Sequence, residues 1–458
     1  MNIAMLLDLA ADGIGDRVAV GGGDGMTYKS LRATAQLAAA ELEQAGDGPL
    51  VLLVPNGWQI PVALFGAAWA GRTYAPLNYR LRNEAQRALR ARARPAVVVD
   101  SDDWLSDTER LIGKPYPDDP VEPAVLLFTS GTSAEPKAVY LQHDHLLAYL
   151  LETVDFGSAG ADEAVLLAVP PFHIAGVAGV LSSVYAGRRI VPMAAFEAAE
   201  WIALAQAEQV THAFLVPTML ARIVDVMARD AAARVPSLRS LAYGGARMPA
   251  PVLERALELF PTTDFVNAYG LTETSSTIAI LGPEVHAAAR GGDLAAQQRL
   301  ASVGQPIPGV QVRIVDDTGD DAERGALWVR GGQVTGEGWL VTGDIASRDE
   351  DGFLYLHGRS DDVIIRGGEN IAPAEVEDAL LRHSTVASAA VVGRPDAEWG
   401  ERVEAFVVPR DGETVDPAGL VAWMRERLGT LKAPDVVHVC AELPLTATGK
   451  VLRRELRG

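Results

Sequence analysis

Apolar positions in the first half of the chain come as short runs that alternate with longer helical patterns. Leu50–Val54 precedes the helical stretch Trp58–Trp69, and a basic helix around Glu84–Arg92 leads into the run Ala96–Val99. Val125–Thr129, Val165–Val169, Ala213–Val216 and Leu241–Tyr243 repeat the theme, each before a turn and a helical pattern. Short apolar runs bounded by turns suit buried strands, and their alternation with helices predicts α/β layers with substantial parallel sheet. The most apolar stretch, about Ala164 to Tyr185, is broken by Pro170, Pro171 and His173. It therefore predicts a strand, a turn and a core helix rather than a membrane span.

From Val310 the texture changes. Val312–Val315, Ala326–Val329 and Phe353–Leu356 are separated by Asp/Gly turns, which predicts a small antiparallel, barrel-like sheet. After Gly358-Arg359 comes a further α+β unit: a strand near Val363–Ile365, a helix through Glu375–Leu381, strands at Val386–Val392 and Ala405–Val408, and a helix at Leu420–Leu428. At 458 residues the chain exceeds what one compact core usually supports. The expected division lies at about Ser360–Asp361, with a large N-terminal α/β domain over 1–359 and a small C-terminal domain over 360–458. There is no internal repeat and no low-complexity linker.

Composition removes several classes of function. The formal net charge of −20 argues against a nucleic-acid-binding surface and against docking on an anionic membrane. The single cysteine, Cys440, can form no intrachain disulfide and no Cys-based metal cluster, which fits a reducing cytoplasm. Met1 to Gly13 lacks the basic region and long apolar core of a leader. Of 40 basic residues only five are lysines, namely Lys29, Lys114, Lys137, Lys432 and Lys450. Arginine serves wherever a generic positive charge suffices, so each lysine carries extra information.

Seven polar clusters could carry chemistry. Thr129-Ser130-Gly131-Thr132-Ser133-Ala134-Glu135-Pro136-Lys137 follows an apolar strand and offers many donors to phosphate oxygens, although a polar surface turn explains it as well. It is not a G-x-x-x-x-G-K-[ST] loop, because no glycine precedes Lys137 and Ala138 follows it. Pro170–Gly176 carries His173, and a lone histidine there is more often structural than reactive. Tyr243-Gly244-Gly245-Ala246 lets a planar ligand approach the backbone closely, or is a plain turn. Asn267-Ala268-Tyr269-Gly270-Leu271-Thr272-Glu273 joins a stacking ring, a hydroxyl and a carboxylate able to hold Mg2+. Trp339–Asp344 ends in an acid that could accept ribose hydroxyls. Gly358-Arg359-Ser360-Asp361-Asp362 leads into Gly367-Gly368-Glu369-Asn370-Ile371, and Pro444–Lys450 is a turn bearing a lysine.

In this order and spacing the seven clusters resemble the adenylate-forming superfamily of acyl-CoA synthetases, luciferases and peptide-synthetase adenylation domains. Thr27-Tyr28, Leu31, Pro55-Asn56 and Pro76-Leu77-Asn78 extend the likeness over nearly the whole chain. The resemblance implies that a carboxylic acid attacks the α-phosphate of ATP to give acyl-AMP and pyrophosphate, with CoA then taking the acyl group. It implies that Thr129, Ser130, Gly131, Thr132, Ser133 and Lys137 lie over the β- and γ-phosphates. Thr272 would contact the α-phosphate and Glu273 would help hold Mg2+. Asn267–Gly270, with Tyr269, and the Gly244–Ala246 backbone would flank adenine, while Asp344 and Arg359 would hold the ribose. Lys450 would be the essential adenylation residue, and His173 would gate the acid pocket. The small domain would rotate about Asp361, carrying Lys450 away and bringing Gly367, Gly368 and Glu369 to line a tunnel for the pantetheine arm.

This chain departs from the family at Ala134 and Ala138, where glycine is common, and the passage Gly331 to Trp339 is shorter than usual. The acid pocket would be built from residues such as Ala175, Gly176, Ala178, Gly179, Phe214 and Val216, favouring a monocarboxylic acid with an apolar aliphatic or cyclic body. Aromatic acids remain open. Ile364–Ile371 resembles bacterial CoA ligases more than peptide-synthetase domains. An adenylation enzyme that loads a carrier protein is the first rival, and an inactive homologue acting as a binding protein is the second. The chain is expected to be a monomer or homodimer.

Overall fold

The computed structural model describes residues 1–101, 103–105, 115–129, 136–446 and 451–457. Among these residues the strands form four sheets. The largest runs Gln305–Pro306, Ser276–Leu281, Asp264–Leu271, Ser240–Gly244, His212–Leu215, Ala164–Leu167, Arg189–Pro192, Val18–Val20 and Met26–Thr27. Its strands are parallel from Asp264–Leu271 through to Val18–Val20, with antiparallel partners at both margins. A second sheet sets Val97–Val99, Leu50–Leu52, Tyr74–Pro76 and Val125–Thr129 in parallel, closed by the antiparallel strand Lys137–Leu141. The strand–turn–helix reading is thereby realised in two layered units.

Helices form where the apolar stripe repeats at helical spacing and a cap starts them. The Thr27 side chain accepts from Ser30 N to open Tyr28–Ala45, which buries Tyr28, Leu31, Ala35, Ala38, Ala39 and Leu42 on one face. Pro217 starts Pro217–Arg229, whose buried residues Met219, Leu220, Ile223, Val224 and Met227 form another such stripe. Gln59–Trp69 is buried all round and serves as a core helix between layers. Ala164–Leu167, a turn at Pro170–His173 and the core helix Ile174–Ala186 occupy the most apolar stretch. No helix among the described residues is long and apolar enough to cross a membrane.

The third sheet is antiparallel and runs Gln311–Val315, Arg324–Arg330, Leu340–Arg348 and Leu354–Arg359. The fourth belongs to the C-terminal region, with Glu369–Ile371, Ile364–Arg366, Gly400–Pro409 and Val386–Asp396 in order and Val436–Val439 parallel to Gly400–Pro409. Among the described residues no apolar cluster includes side chains from both sides of Ser360–Asp361. We propose the domain boundary there, because a boundary falls where few apolar contacts cross.

The two large sheets are stitched by one amide. Asn56, just past the strand Leu50–Leu52, donates from Nδ2 to the carbonyls of Leu167, Val169 and Met193, each at 3.1 Å. Asn56 is buried, so its loss would strand carbonyls at the end of a central strand. Asn56→Ala is expected to destabilise the large domain by roughly 2 kcal/mol. Differential scanning calorimetry would check this, and an unchanged first transition would refute it.

Candidate active site

Parallel strands place their carboxyl ends on one edge, and that edge carries most of the residues singled out above. His173 follows Ala164–Leu167, Val216 follows His212–Leu215, Gly244 ends Ser240–Gly244, and Tyr269 lies near the end of Asp264–Leu271. Ligands of open α/β sheets bind at such an edge, where loops diverge and leave a crevice.

Gly244 and Gly245 have separate causes. Gly244 pairs with Ala268, and a Cβ on it would stand 2.2 Å from the Ala268 carbonyl oxygen. The adjacent strand alone requires glycine there. Gly245 has φ +79°, which turns the chain off the sheet in a conformation that side chains rarely adopt. Phe214 Cζ and Val216 Cγ1 lie 3.5 and 3.6 Å from the Cβ positions of Gly244 and Gly245, so an apolar wall stands beside the glycines. Asn267 pairs with Tyr243 and donates to the Ser302 carbonyl at 3.3 Å, and Gly270 pairs with Thr277.

Tyr269 is where two sheets meet. Its hydroxyl donates to Asp344 Oδ2 at 2.6 Å, across 75 residues of sequence. Asp344 is 8 % exposed and stands opposite Arg359 in the antiparallel register, with Nη1 to Oδ1 at 3.6 Å. Burial, and then the Asp344 carboxylate, push the Tyr269 phenol well above its ordinary pKa, so it remains a donor at physiological pH. Thr342 buttresses the group by accepting from Asp344 N at 3.1 Å.

Thr272–Thr274 form a short 3-10 turn, after which Ser275 and Ser276 adopt φ of 52° and 124°. Two consecutive non-glycine residues in this region carry backbone strain, which persists only where the surroundings hold it. Thr274 Oγ1 donates toward Leu271 O and Ser276 O, and the buried amide of Gln333 donates to Thr274 O and Thr277 O. Thr335 N adds a bond of 2.8 Å to Glu273 O. Gln333 and Thr335 escaped the sequence reading, which noted Gly331 to Trp339 only as shorter than usual. Nothing in that passage's apolar pattern marks them. The Glu273 side chain, meanwhile, meets Lys137, with Nζ to Oε1 at 3.2 Å. Lys137 pairs in register with Thr129, so both ends of the hydroxyl-rich loop are anchored beside Glu273. Ser130, Gly131, Thr132, Ser133 and Lys450 lie outside the described residues.

Thus two contacts, Lys137 with Glu273 and Tyr269 with Asp344 and Arg359, stand at the two ends of the short segment Tyr269–Glu273, and Gly244 lies on the strand beside it. Gly367, Gly368 and Glu369 do not join these contacts. Gly367 and Gly368, with φ of 59° and 83°, make the tight turn between Ile364–Arg366 and Glu369–Ile371. That exposed tip packs on Trp399 of its own domain, and Gly367 N donates to Trp399 O at 2.8 Å. Asp361 lies on the surface between domains, its carbonyl accepting from Arg457 Nη2 at 3.1 Å.

His173 caps the helix Ile174–Ala186 without a side-chain capping bond. Its ring lies 4.6 Å from that of Phe172, and its Nε2 is buried with no hydrogen-bond partner among the described residues. Burial, helped by Arg80, lowers its pKa to about 3.

Polar groups gathered at the carboxyl ends of a mainly parallel sheet, in a chain with a large and a small α/β domain, define the class as a two-domain α/β enzyme. The chain belongs to the AMP-binding enzyme family, whose model matches residues 7–337, with the model of the AMP-binding enzyme C-terminal domain matching residues 375–450. It is 33 % identical over 468 residues to the feruloyl-CoA synthase of an Amycolatopsis species, covering 95 % of this chain and 94 % of that one. The fatty acid–[acyl-carrier-protein] ligase ScoC of Streptomyces coeruleorubidus is 31 % identical over 484 residues, covering 94 % and 91 %. Among solved structures, the o-succinylbenzoate CoA synthetase MenE of Bacillus subtilis in complex with the acyl-adenylate OSB-AMP aligns with a TM-score of 0.84 at 28 % identity, over 99 % of this chain and 98 % of that one. The same enzyme has also been solved with ATP and a magnesium ion.

A histidine whose pKa falls below its unfolded value stabilises the fold most above pH 6.5, and that contribution is lost as pH falls from there toward 3. The His173 ring is therefore expected to stay neutral across the working range. Its Cε1–H resonance, assigned with a His173→Gln variant, should show no titration above pH 5. A midpoint near 6.5 would refute this environment.

Proposed function

We propose that this protein is an ATP-dependent acid–thiol ligase, which forms an acyl-adenylate and then transfers the acyl group to CoA. The observation that carries the reading is the pair of contacts at the two ends of Tyr269–Glu273, Tyr269–Asp344–Arg359 at one end and Glu273–Lys137 at the other. It sets a cation beside one acid and a ring, a hydroxyl-accepting acid and a guanidinium at the other end, which matches the phosphates, base and sugar of one nucleotide.

In the first step a carboxylate oxygen of the acid bonds to the α-phosphorus of ATP, and the bond from that phosphorus to the bridging oxygen breaks, releasing pyrophosphate. In the second, the thiol sulfur of CoA bonds to the acyl carbon, AMP leaves with the electron pair, and the thiol proton passes to solvent. Neither step asks covalent chemistry of the protein. Alignment and neutralisation of negative charge are its contribution.

Lys137 would neutralise the outer phosphates together with the hydroxyls and backbone of Thr129–Ser133, and Thr272 would donate to the α-phosphate. The donor set at Glu273 suits Mg2+, which needs only one or two carboxylates beside phosphates and water, and whose bound role is to neutralise phosphate charge. Tyr269 and the Gly244–Ala246 backbone, with Asn267, Ala268 and Gly270 behind them, would flank adenine, and Asp344 would accept from the ribose hydroxyls beside Arg359. Lys450 would meet the attacking carboxylate, since a compact ammonium fits where a planar guanidinium does not. His173, uncharged, would close the acid pocket without adding a fixed charge. Phe214, Val216 and the small residues of Ile174–Ala186 favour an apolar aliphatic, cyclic or aromatic monocarboxylic acid. Asp361 would be the hinge about which Gly367, Gly368 and Glu369 approach for thiol transfer. A cytoplasmic monomer or homodimer completes the reading.

The test is AMP and thioester formation with Mg-ATP and a panel of carboxylic acids, with CoA, with a carrier protein, or with neither. Acid- and CoA-dependent acyl-CoA is expected, and Lys450→Ala should slow adenylate formation by about a hundredfold or more. Acyl transfer to the carrier protein alone would replace CoA as acceptor. The absence of ATP consumption across the panel, with ATP still bound by calorimetry, would overturn the reading in favour of a binding protein.

A further inference from the structure

The two domains meet through charge rather than through a shared core. Between them lies a cleft of about 520 Å³ lined by Arg247, His357, Glu375, Arg427 and Lys432 among others. Among the described residues no apolar cluster bridges it. Four ion pairs between described residues cross instead: Arg247–Asp378, Arg382–Glu254, Arg229–Asp411 and Arg410–Asp225.

These pairs are unequal. In Arg229–Asp411 and Arg382–Glu254 both side chains are more than half exposed, and Arg410–Asp225 spans 3.8 Å. Exposed pairs of this kind contribute little, since water and salt screen them. Asp378 is only 20 % exposed, and its Oδ1 is buried with no hydrogen-bond partner among the described residues. Arg247 is the cation its other oxygen meets, through Nη2, while Nη1 donates to Ala374 O at 2.9 Å at the start of the helix Pro373–Leu381. Arg247 is itself 47 % exposed, but its removal would leave a largely buried carboxylate without this partner, a larger loss than opening any of the other three pairs. Arg247 also directly follows Ala246, so one backbone segment carries both the proposed adenine wall and the tether to the small domain.

We propose that Arg247 is a positioning residue for the ligase reaction, a latch that holds the small domain in the arrangement serving adenylate formation. The inference rests on the two-step reading above. In this arrangement the Gly367–Gly368 turn is exposed and, among the described residues, packs on Trp399 of its own domain with no hydrogen bond or ion pair to Tyr269, Asp344 or Arg359, which is not the approach that thiol transfer requires. Opening the Arg247–Asp378 pair is then a required event between the two steps.

The experiment measures the two half-reactions separately in the full-length protein: acid-dependent ATP–pyrophosphate exchange, and thioester formation from supplied acyl-AMP and CoA. Small-angle scattering reports the domain arrangement. Arg247→Ala and Asp378→Asn should each lower exchange by about tenfold, mainly in kcat, while thioester formation stays at or above the wild-type rate and scattering broadens. The paired reversal Arg247→Asp with Asp378→Arg should recover much of the exchange, and Arg382→Ala should resemble wild type in both assays. Equal losses in both half-reactions with unchanged scattering would reduce Arg247 to a structural role and overturn the proposal, as would wild-type behaviour of both single variants. Failure of the wild-type protein to form any adenylate would instead overturn the ligase reading itself.

Discussion

The hydrogen bond from Tyr269 to Asp344 joins the mainly parallel sheet to the antiparallel one, and the geometry of the site depends on it. Tyr269 rides on a strand whose register with its neighbours is set by Gly244, because the Ala268 carbonyl leaves no room for a Cβ. Asp344 rides on a strand whose register with Arg359 is set by the antiparallel ladder. Either sheet alone would carry half a site. The phenol–carboxylate contact, buried and short, fixes one against the other and leaves Asp344 one further oxygen for a ligand or for Arg359.

The strained turn beyond Tyr269 follows the same logic. Ser275 and Ser276 take up a costly backbone conformation just after Glu273, and Gln333 and Thr335 reach over from the loop that follows Arg324–Arg330 to hold it. Such a brace limits how far Glu273 can drift when its cationic partner changes. The ammonium of Lys137 and a nucleotide-borne cation would compete for the same carboxylate, and a rigid turn lets either occupy it without rebuilding the loop.

Much of the fold was legible because apolar runs and turns coincide. Val125–Thr129 appears with the bounds read from the sequence, and Pro170-Pro171 with His173 divides strand from core helix as expected. The long strand Leu340–Arg348 was not legible, because its buried positions include Thr342 and Asp344, which break the apolar alternation that marks a strand. The candidate residues were found as clusters, yet their partnerships were not. Tyr269 and Asp344 are joined only by tertiary structure, as are Arg247 and Asp378, 131 residues apart. The paired glycines illustrate a subtler limit. A strand end reading Gly-Gly does not say whether a ligand, a neighbouring strand or a left-handed turn excludes the side chain, and here strand and turn account for one each.

Were the two domains to rearrange between half-reactions, an apolar interface would be exposed to water at every turnover. Ion pairs avoid that cost: both partners are solvated when they part, so the open and closed states differ by little. A latch made only of exposed pairs, however, would scarcely hold against thermal motion. Among the described residues one of the four pairs sets its carboxylate, Asp378, mostly out of solvent against the half-exposed Arg247, and the other three lie at the surface. The Arg247–Asp378 pair would set a preference for one arrangement, and the lack of a shared apolar core among the described residues would keep another within reach.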